Sequence, residues 1–515
     1  HPIRAIYNGK EFVIEEGTIQ GCPLSTAIYD LGIQPFAKEM ETEAISQIWV
    51  VDDLAAAGKP EDLKEWYDKM KKNGPKYGYK VNKNKSYILA KDIRILKPFE
   101  DEIKKEELQQ TEGARYLGAP IGTTDFKSEF FKRKIEKVNE KIRKLARLAK
   151  TSPHAAYYIF TASVKHELTY LQKSGVQENL VKETEVELKK FSESLVGQAI
   201  VGANTHQQIS NPTREGGLAI NTCRLIEETE ELFRRGELTT SELKLKLKSQ
   251  DQTLPMKQEY AEYRKESEQE GKRRLLEQID DEQSDENKRR LEELGLKGTN
   301  GWIGAIPIRA QGRYLPKAEF QDSIRLRLGL VPSNMPTKCA CGQINSVNHA
   351  KNCHTGGYIN MRHDAIRDYI RDKAALVYHD VEKETKLKPV EEQMLNPGTI
   401  IRAKARSDVR VMGFTRDFQN TNFDVKVINA QADSHVKHNP RKALADAEDG
   451  KDRAYKERIE KVEGATFIPM IFTSRGAKTK RTSKALAKIV AKIATKRGRE
   501  NSVVAKSIST DLSYI

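Results

Sequence analysis

The chain has 515 residues, of which 37% are hydrophobic and 32% are charged, and its formal net charge at pH 7 is +15. One hydrophobic core seldom serves more than about 300 residues, so we expect several domains. The excess of Lys and Arg favours a polyanionic partner such as nucleic acid over a small acidic substrate. We expect no membrane span and no cleavable signal segment, because the sequence has no apolar run of that length.

A turn-forming segment lies near the N-terminus and contains Gln20 and Gly21, followed by Pro23. Proline favours the first turn of a helix, and the apolar residues that follow have helical spacing, which predicts a helix over 23–40. The flexible turn ahead of this helix would let the backbone of Gln20 and Gly21 lie against a template base and an incoming nucleotide.

A short apolar segment, 45–51, is predicted to be a strand that ends at the carboxylate pair Asp52 and Asp53. Two adjacent carboxylates at a turn between strands can hold two Mg²⁺ ions, one activating a primer hydroxyl and the other binding a triphosphate. The alternative is a solvated turn, which is the commoner role of an isolated Asp-Asp pair. A helix over 60–72 and a strand over 87–90 are predicted to follow.

The order of these segments resembles the palm of a non-LTR retrotransposon reverse transcriptase. The further motifs that carry the resemblance are Trp66, Gly74-Pro75, Gly78-Tyr79, Asn82 to Ser86, and Gly113 to Gly118. The resemblance implies that Asp52 and Asp53 are catalytic, that Gln20, Gly21 and Lys85 contact the nucleotide, and that template RNA and target DNA are the partners.

In that family a third carboxylate lies on an earlier strand, whereas this chain opens at His1 without an initiating Met. We therefore expect an N-terminally truncated fragment that does not extend a primer by itself. Val50 also stands where an aromatic residue is usual before the Asp pair.

Apolar residues recur every three or four positions from Lys127 to about Val201, which predicts a bundle of helices. Ser152 and Pro153 are predicted to begin one of them. The bundle suits a polymerase thumb, and Arg214-x-Gly-Gly-Leu resembles the element that follows the thumb in related proteins. Beyond it, 226–300 is dense in charges of both signs and is expected to be a connector.

A cluster of three cysteines and one histidine has the spacing Cys-x-Cys-x7-His-x3-Cys and consists of Cys339, Cys341, His349 and Cys353. Three thiolates and an imidazole make a closed tetrahedral Zn²⁺ site of the structural kind. His354 could replace His349, and a set of free thiols is the alternative. Since the cysteines cluster with a histidine, we expect a metal site in a reducing compartment and no disulfide framework.

Two alternating segments nearer the C-terminus are predicted to form a hairpin that brings Asp408 beside Asp424. Asp424 belongs to an Asp-x-Lys triplet that ends at Lys426. Two carboxylates and a lysine are the catalytic set of PD-(D/E)xK nucleases, in which the carboxylates bind Mg²⁺ and the lysine orients or deprotonates water. Ser407 stands where the motif's name has Pro, and alternating charges on an ordinary strand would give the same pattern.

Lys451 and Tyr455 lie one helical turn apart on a predicted helix, and 467–472 is predicted to be a buried strand. This succession resembles the restriction-like endonuclease of site-specific non-LTR retrotransposons, where a basic residue on that helix takes the lysine's role. Lys426 and Lys451 are therefore competing candidates, with Tyr455 beside the second. Glu384, predicted on a helix ahead of the hairpin, is a weaker candidate for an accessory carboxylate.

The C-terminal segment is strongly basic, with no acidic residue from Lys478 to Arg499. Its apolar residues form one stripe of a predicted helix, which can pack on the nuclease while the lysines between them face phosphate. Nuclear import is a compatible role of Lys478 to Arg481, and we expect a nuclear protein.

The sequence therefore predicts a multidomain α+β protein. Its expected parts are a partial palm (1–125), a helical thumb (126–225), a charged connector (226–300), a linker with the zinc knuckle (301–380), an endonuclease of PD-(D/E)xK type (381–477) and a basic tail (478–515). The predicted function is RNA-directed DNA polymerase and Mg²⁺-dependent DNA endonuclease acting by target-primed reverse transcription. The alternatives are a decayed or domesticated nucleic-acid-binding remnant and a protein in which the endonuclease alone is active.

Overall fold

The computed structural model describes residues 3–7, 10–14, 24–174, 176, 178–220, 285–390, 395–402, 404–435 and 438–515. They belong to two compact units, 1–134 with 174–177 and 135–173 with 178–515. The expected connector over 226–300 lies outside the described residues up to 284. Within the described ranges, no helix is both long enough and apolar enough to cross a membrane.

The helices are α1 Ser25–Glu39, α2 Pro60–Asn73, α3 Glu100–Lys104, α4 Thr124–Ala149, α5 Pro153–Ile159, α6 Lys165–Lys173, α7 Glu178–Val196, α8 Ala203–Ser210, α9 Asp285–Leu294, α10 Lys317–Leu328, α11 Val347–Asn352, α12 Tyr358–Ala375, α13 Pro440–Lys451, α14 Glu457–Lys461, α15 Lys480–Arg497 and α16 Asn501–Leu512. The strands are β1 Ile3–Tyr7, β2 Lys10–Ile14, β3 Ser46–Val50, β4 Asp53–Ala57, β5 Tyr87–Ile88, β6 Gln109–Gln110, β7 Gly113–Tyr116, β8 Ala119–Gly122, β9 Val381–Lys386, β10 Arg406–Met412, β11 Asn420–Ile428 and β12 Thr466–Thr473.

The first unit is built from two-stranded ladders and the helices α1 and α2, which confirm the predicted helices 23–40 and 60–72. Helix α2 starts with Pro60, and acidic residues in its first turn and lysines in its last turn complement the helix dipole. Its Trp66 is buried and donates its indole N–H to the carbonyl of Met40, at 3.0 Å. This contact holds α2 against the end of α1, directly ahead of the β3–β4 hairpin.

The second unit begins with the predicted helical bundle, whose apolar positions are buried. Helix α5 begins at Pro153 as predicted, although the side chain of Ser152 does not cap it. The Arg214-x-Gly-Gly-Leu segment closes the bundle, because Tyr157 donates its hydroxyl to the carbonyl of Leu218 at 2.9 Å. A Cβ at Gly217 would lie 1.9 Å from the carbonyl oxygen of Asn211, so this position requires glycine.

The C-terminal part of the second unit contains a four-stranded sheet in the order β12-β11-β10-β9. Strands β11 and β12 are parallel, and the other two pairs are antiparallel. The sheet shares one hydrophobic core with α12, α15 and α16, to which Ile370, Phe423 and Ile489 contribute. The predicted C-terminal helix is thus confirmed as α15, and its apolar stripe is buried in this core.

His154 is buried in the second unit and gives a test of its packing. Its Nδ1 accepts the backbone N–H of Leu315 at 3.1 Å, and its ring stacks on Phe320 with centroids 4.9 Å apart. Burial lowers the pKa of His154 to about 4, from an ordinary value of 6.5. Below pH 6.5 His154 is therefore protonated in the unfolded chain but stays neutral in the folded chain. The neutral, buried His154 stabilises the fold fully above pH 6.5, and this contribution is lost as the pH falls towards 4.

We expect His154 to account for about 2–3 kcal/mol of the fall in the free energy of unfolding between pH 6.5 and pH 4. Urea unfolding at several pH values measures it, and His154→Gln should flatten the dependence. The matched control is His206→Gln, at a half-buried histidine of α8. Equal pH dependence in the wild type and His154→Gln would contradict the prediction.

Candidate active sites and metal centre

The first carboxylate pair lies at the tip of the β3–β4 hairpin. Val50 pairs with Asp53, so the two turn residues are Val51 and Asp52. The Asp pair lies at the turn as the sequence predicts, whereas Val51, predicted in the strand, belongs to the turn. Val51 has a φ of 54°, a region that β-branched residues rarely adopt and that costs about 1–3 kcal/mol. Both carboxylates are exposed. The strained turn therefore presents two neighbouring anionic groups to solvent, where they can bind divalent cations.

Three tyrosines surround this hairpin. The hydroxyl of Tyr79 donates to the carbonyl of Asp52 at 3.5 Å, and that of Tyr116 donates to a carbonyl of β3 at 3.5 Å. Burial raises the pKa of Tyr79 to about 12, with further contributions from Tyr29, Asp52 and Asp53. Burial, followed by the charge of a nearby carboxylate, likewise raises the pKa of Tyr29, next to Asp52, and of Tyr116, next to Asp53. The phenols therefore stay neutral at physiological pH and add no charge to the pair.

Three further residues are predicted to contact the nucleotide, and the structure describes one of them, Lys85. Gln20 and Gly21 lie outside the described residues. Lys85 ends an exposed 3-10 turn, Lys83–Lys85, that Asn82 caps through its side chain. The Gly113 to Gly118 motif forms the β7–β8 hairpin, whose two turn residues, Leu117 and Gly118, both have positive φ.

The second carboxylate pair lies on the sheet of the second unit. Val409 of β10 pairs with Phe423 of β11, so Asp408 and Asp424 lie next to this pair on adjoining strands, as predicted. The Oδ2 atom of Asp408 accepts the backbone N–H of Val425 at 2.6 Å. Asp424 is only 4% exposed, and burial raises its pKa against the opposing effect of Lys451. The sheet thus holds two carboxylates together at the cost of desolvating one of them.

Of the two candidate lysines, Lys451 is the one that pairs directly with Asp424. Its ammonium also lies 5.1 Å from the ring centroid of Tyr455, which stacks on Phe467. Lys451 ends α13, which continues into the π-helical turn Asp452–Lys456 that carries Tyr455. Lys426 is half-buried, and burial, then the nearby charge of Lys451, lowers its pKa. Both lysines therefore act on the electrostatics of the pair, and Lys451 is the direct partner.

His363 is a residue of this site that the sequence reasoning missed. It lies on α12 and its Nε2 is 3.2 Å from Oδ2 of Asp408. The hydrogen bond with Asp408, opposed by burial, raises the pKa of His363 to about 9. Each carboxylate of the pair is thus matched by one cation from a helix, Lys451 or His363. The sequence signal was weak, because a helix residue 45 positions before Asp408 shares no pattern with it.

The prediction that Glu384 lies on a helix is wrong. Glu384 lies on strand β9, and its φ is 52°. Its carboxylate pairs with Arg367 at 2.6 Å and with Arg406 at 3.0 Å. Glu384 therefore joins α12 to the sheet through two arginines, and these ion pairs occupy both of its oxygens.

Residues 3–121 match the sequence model of the family described as reverse transcriptase (RNA-dependent DNA polymerase). The chain contains a reverse transcriptase domain. The match includes the hairpin of Asp52 and Asp53, so it supports RNA-directed DNA polymerase activity in general, with an RNA template and with the Mg²⁺ that reverse transcriptases generally use. A search of curated proteins finds no match for the chain.

The predicted zinc knuckle forms a compact cluster in the second unit, outside the matched domain. One ligand atom from each of Cys339, Cys341, His349 and Cys353 lies within 4.8 Å of the others. The Sγ atoms of Cys339 and Cys353 are 3.6 Å apart, and Sγ of Cys341 is 3.3 Å from Nε2 of His349. Tetrahedral Zn²⁺ with bonds of about 2.3 Å to sulfur and 2.0 Å to nitrogen requires edges of about 3.5–3.8 Å. The donor set therefore fits Zn²⁺, and His349, not His354, completes it.

Local structure explains how the knuckle is held. Gly342, with a φ of 89°, closes a turn in which its N–H donates to the carbonyl of Cys339. Ser346 caps α11 by accepting the N–H of His349 at 3.0 Å, which fixes the histidine in the first helical turn. The carbonyl of His349 then accepts the N–H of Cys353 at the end of the helix. Two turns and one short helix thus bring all four ligands to one point.

Proposed function

We propose that this is a protein of the non-LTR retrotransposon type, in which the reverse transcriptase domain acts together with a restriction-like endonuclease. The catalytic carboxylates of that endonuclease would be Asp408 and Asp424. The nuclease would nick target DNA, and the polymerase would extend the exposed 3′-hydroxyl on an RNA template. The observation that carries the proposal is the placement of Asp408 and Asp424 side by side on adjoining strands, with Lys451 on the buried carboxylate. A nuclear location and a DNA target follow from this proposal.

The residues of the second site suit hydrolysis of a phosphodiester. Asp408 and Asp424 would hold a divalent cation, which would polarise the phosphate and supply a nucleophile near neutral pH. Two cationic side chains, Lys451 and His363, now balance the negative charge of the pair, and this concentration of carboxylates supports a role in binding a divalent cation. Lys451 would remain close enough to orient the attacking water or to stabilise charge on the phosphate.

The knuckle and the basic helix α15 suit binding of nucleic acid. A Zn²⁺ ion in the Cys339 cluster would have a structural role, since four protein ligands leave no open position. The lysines of α15 are only partly free for phosphate. The ammonium of Lys488 lies 5.1 Å from the ring centroid of Phe414, and that of Lys492 lies 4.4 Å from that of Tyr378. These lysines remain exposed and cover aromatic surface while they contribute to the positive field.

Two assays on the purified chain test the proposal. Supercoiled plasmid with Mg²⁺ should be nicked, and a primed RNA template with deoxynucleotides tests polymerisation. We expect Asp52→Ala to abolish template-dependent synthesis, because a two-ion site that loses one of its carboxylates loses several kcal/mol of transition-state stabilisation. Synthesis that Asp52→Ala leaves unchanged would contradict that expectation. Salt-sensitive DNA binding without any nicking would favour the nucleic-acid-binding remnant.

A further inference from the structure

A cavity of about 210 Å³ lies in the second unit, apart from both carboxylate pairs. Its wall includes residues of α10, α11, α12, α16 and the segment that follows β12. Among the described residues that line it there is no Asp or Glu side chain, whereas five residues are basic: Arg327, Lys351, Arg362, Arg475 and Lys478. A concentration of positive charge in a partly dry space is unfavourable unless anions balance it.

Only part of this charge is balanced within the described part of the chain. Arg475 pairs with Glu293, whose fully buried carboxylate lies 3.2 Å from its Nε. No ion pair of Lys351 or Lys478 is found among the described residues. Burial lowers the pKa of Lys478, and the neighbouring Lys297 lowers it further. Loss of hydration in the cavity, followed by the charge of Arg475, lowers the pKa of Lys351 to about 7. The charge that remains unbalanced within the described residues at neutral pH is therefore chiefly that of Arg327 and Arg362.

Buried donors with no protein partner also face this region. Nη1 of Arg327, Nε of Arg362 and Oγ of Ser474 are buried and make no hydrogen bond within the described ranges. The guanidinium of Arg327 is nevertheless fixed, because its Nε donates to the carbonyl of Gly217 at 3.1 Å and its Nη2 donates to that of Thr213. A rigid guanidinium with a free buried N–H is pre-organised for an oxygen ligand.

We propose that this cavity binds a phosphate-class oxyanion, either a free phosphate or pyrophosphate or the terminal phosphate of a nucleic-acid strand. Guanidinium and ammonium groups are the side chains that recognise phosphate oxygens most strongly. The volume lies below the roughly 300–1,000 Å³ of drug-sized sites, which favours a single small anion. This inference stands independently of the nuclease and polymerase activities.

The position of the cavity gives the anion a structural consequence. Lys351 lies on α11, the helix of the knuckle, whereas Arg475 and Lys478 follow β12 of the sheet. An anion that contacts both would join the knuckle to the sheet. It would add to the hydrogen bond in which Asn429 donates to the side-chain oxygen of Asn348 at 2.6 Å.

Titration calorimetry of the full chain with pyrophosphate, at constant ionic strength set with chloride, tests the site. We expect one binding event that Lys478→Met and Arg362→Gln each weaken by about tenfold, since each removes one charge-assisted contact. The control is Lys506→Met, at an exposed lysine of α16, which should leave the affinity unchanged. Thermal unfolding adds a readout of folding: the cavity variants should be as stable as the wild type without pyrophosphate and should lose its stabilising effect.

Competition with oligonucleotides separates the two sources of phosphate. Displacement of pyrophosphate by a 5′-phosphorylated oligonucleotide, but not by its 5′-hydroxyl counterpart, assigns the cavity to a strand end. Displacement by neither assigns it to a free anion. The proposal is overturned if pyrophosphate does not bind, if Lys506→Met weakens binding as much as Lys478→Met, or if both oligonucleotides displace it equally.

Discussion

Asp408→Ala and Asp424→Ala are each expected to reduce plasmid nicking by the full chain by about 10³-fold or more. A single remaining carboxylate cannot hold a divalent cation where its bound water meets the phosphate, and this loss corresponds to about 4 kcal/mol of transition-state stabilisation. Initial rates of conversion of supercoiled to open-circular DNA in Mg²⁺ measure the effect.

The control for this prediction is Asp417→Ala, which removes an exposed carboxylate from the loop of the same hairpin. Its nicking rate should equal that of the wild type. Because Asp424→Ala leaves Lys451 without its buried partner, the fold of this variant needs a separate check. Circular dichroism should show that it is folded. DNA binding at low salt should survive both active-site substitutions, since it depends on phosphate contacts elsewhere. Nicking by Asp408→Ala and Asp424→Ala at the wild-type rate would identify the hairpin as ordinary structure.

The same assay distinguishes the two lysines. Because Lys451 pairs directly with the buried Asp424, we expect Lys451→Met to slow nicking by about 10²-fold and Lys426→Met by much less. The reverse order would assign the catalytic role to the lysine of the Asp-x-Lys triplet.

The carboxylate pairs could be predicted from sequence because each depends on local patterns. An apolar strand that ends in Asp52 and Asp53 predicts the first turn, and alternation on both sides of a short loop predicts that Asp408 meets Asp424. A hairpin's register is set by neighbouring residues, so the pairing follows once both strands are recognised. The positive φ of Val51 has no such signal, because a β-branched residue disfavours that conformation and only its surroundings impose it.

Strand β9 and the contact of His363 with Asp408 could not be predicted from the sequence, because both depend on contacts between elements distant in the chain. Strand β9 consists mostly of exposed charged residues, so it lacks the alternation of a half-buried strand, and the sequence places its Glu384 on a helix. Its charges suit an edge strand, which they protect from pairing with other chains. Its Glu384 pairs with Arg367 of α12, and His363 one turn earlier on α12 reaches Asp408. Helix periodicity identifies a buried face, but not the strand residue that a polar side chain on it contacts.

The knuckle is expected to bind one Zn²⁺ per chain, and removal of the metal is expected to unfold its local structure. Structural Zn²⁺ contributes about 10–16 kcal/mol of apparent binding free energy in small zinc-finger peptides, and α11 with its flanking turns has only six helical residues and no buried side chain of its own. Metal analysis of the full chain should therefore give a ratio of Zn²⁺ to protein near one, which Cys339→Ser with Cys353→Ser should reduce to near zero.

His349→Asn should lower Zn²⁺ affinity strongly, whereas His354→Asn should not. Cys223→Ser is a control for loss of a thiol remote in sequence. Hydrogen exchange at α11 should accelerate on chelation while exchange in the sheet core, at Phe423 for example, stays slow. A stoichiometry near zero in the wild type, or one that the double substitution leaves unchanged, would show that the four side chains meet without holding a metal.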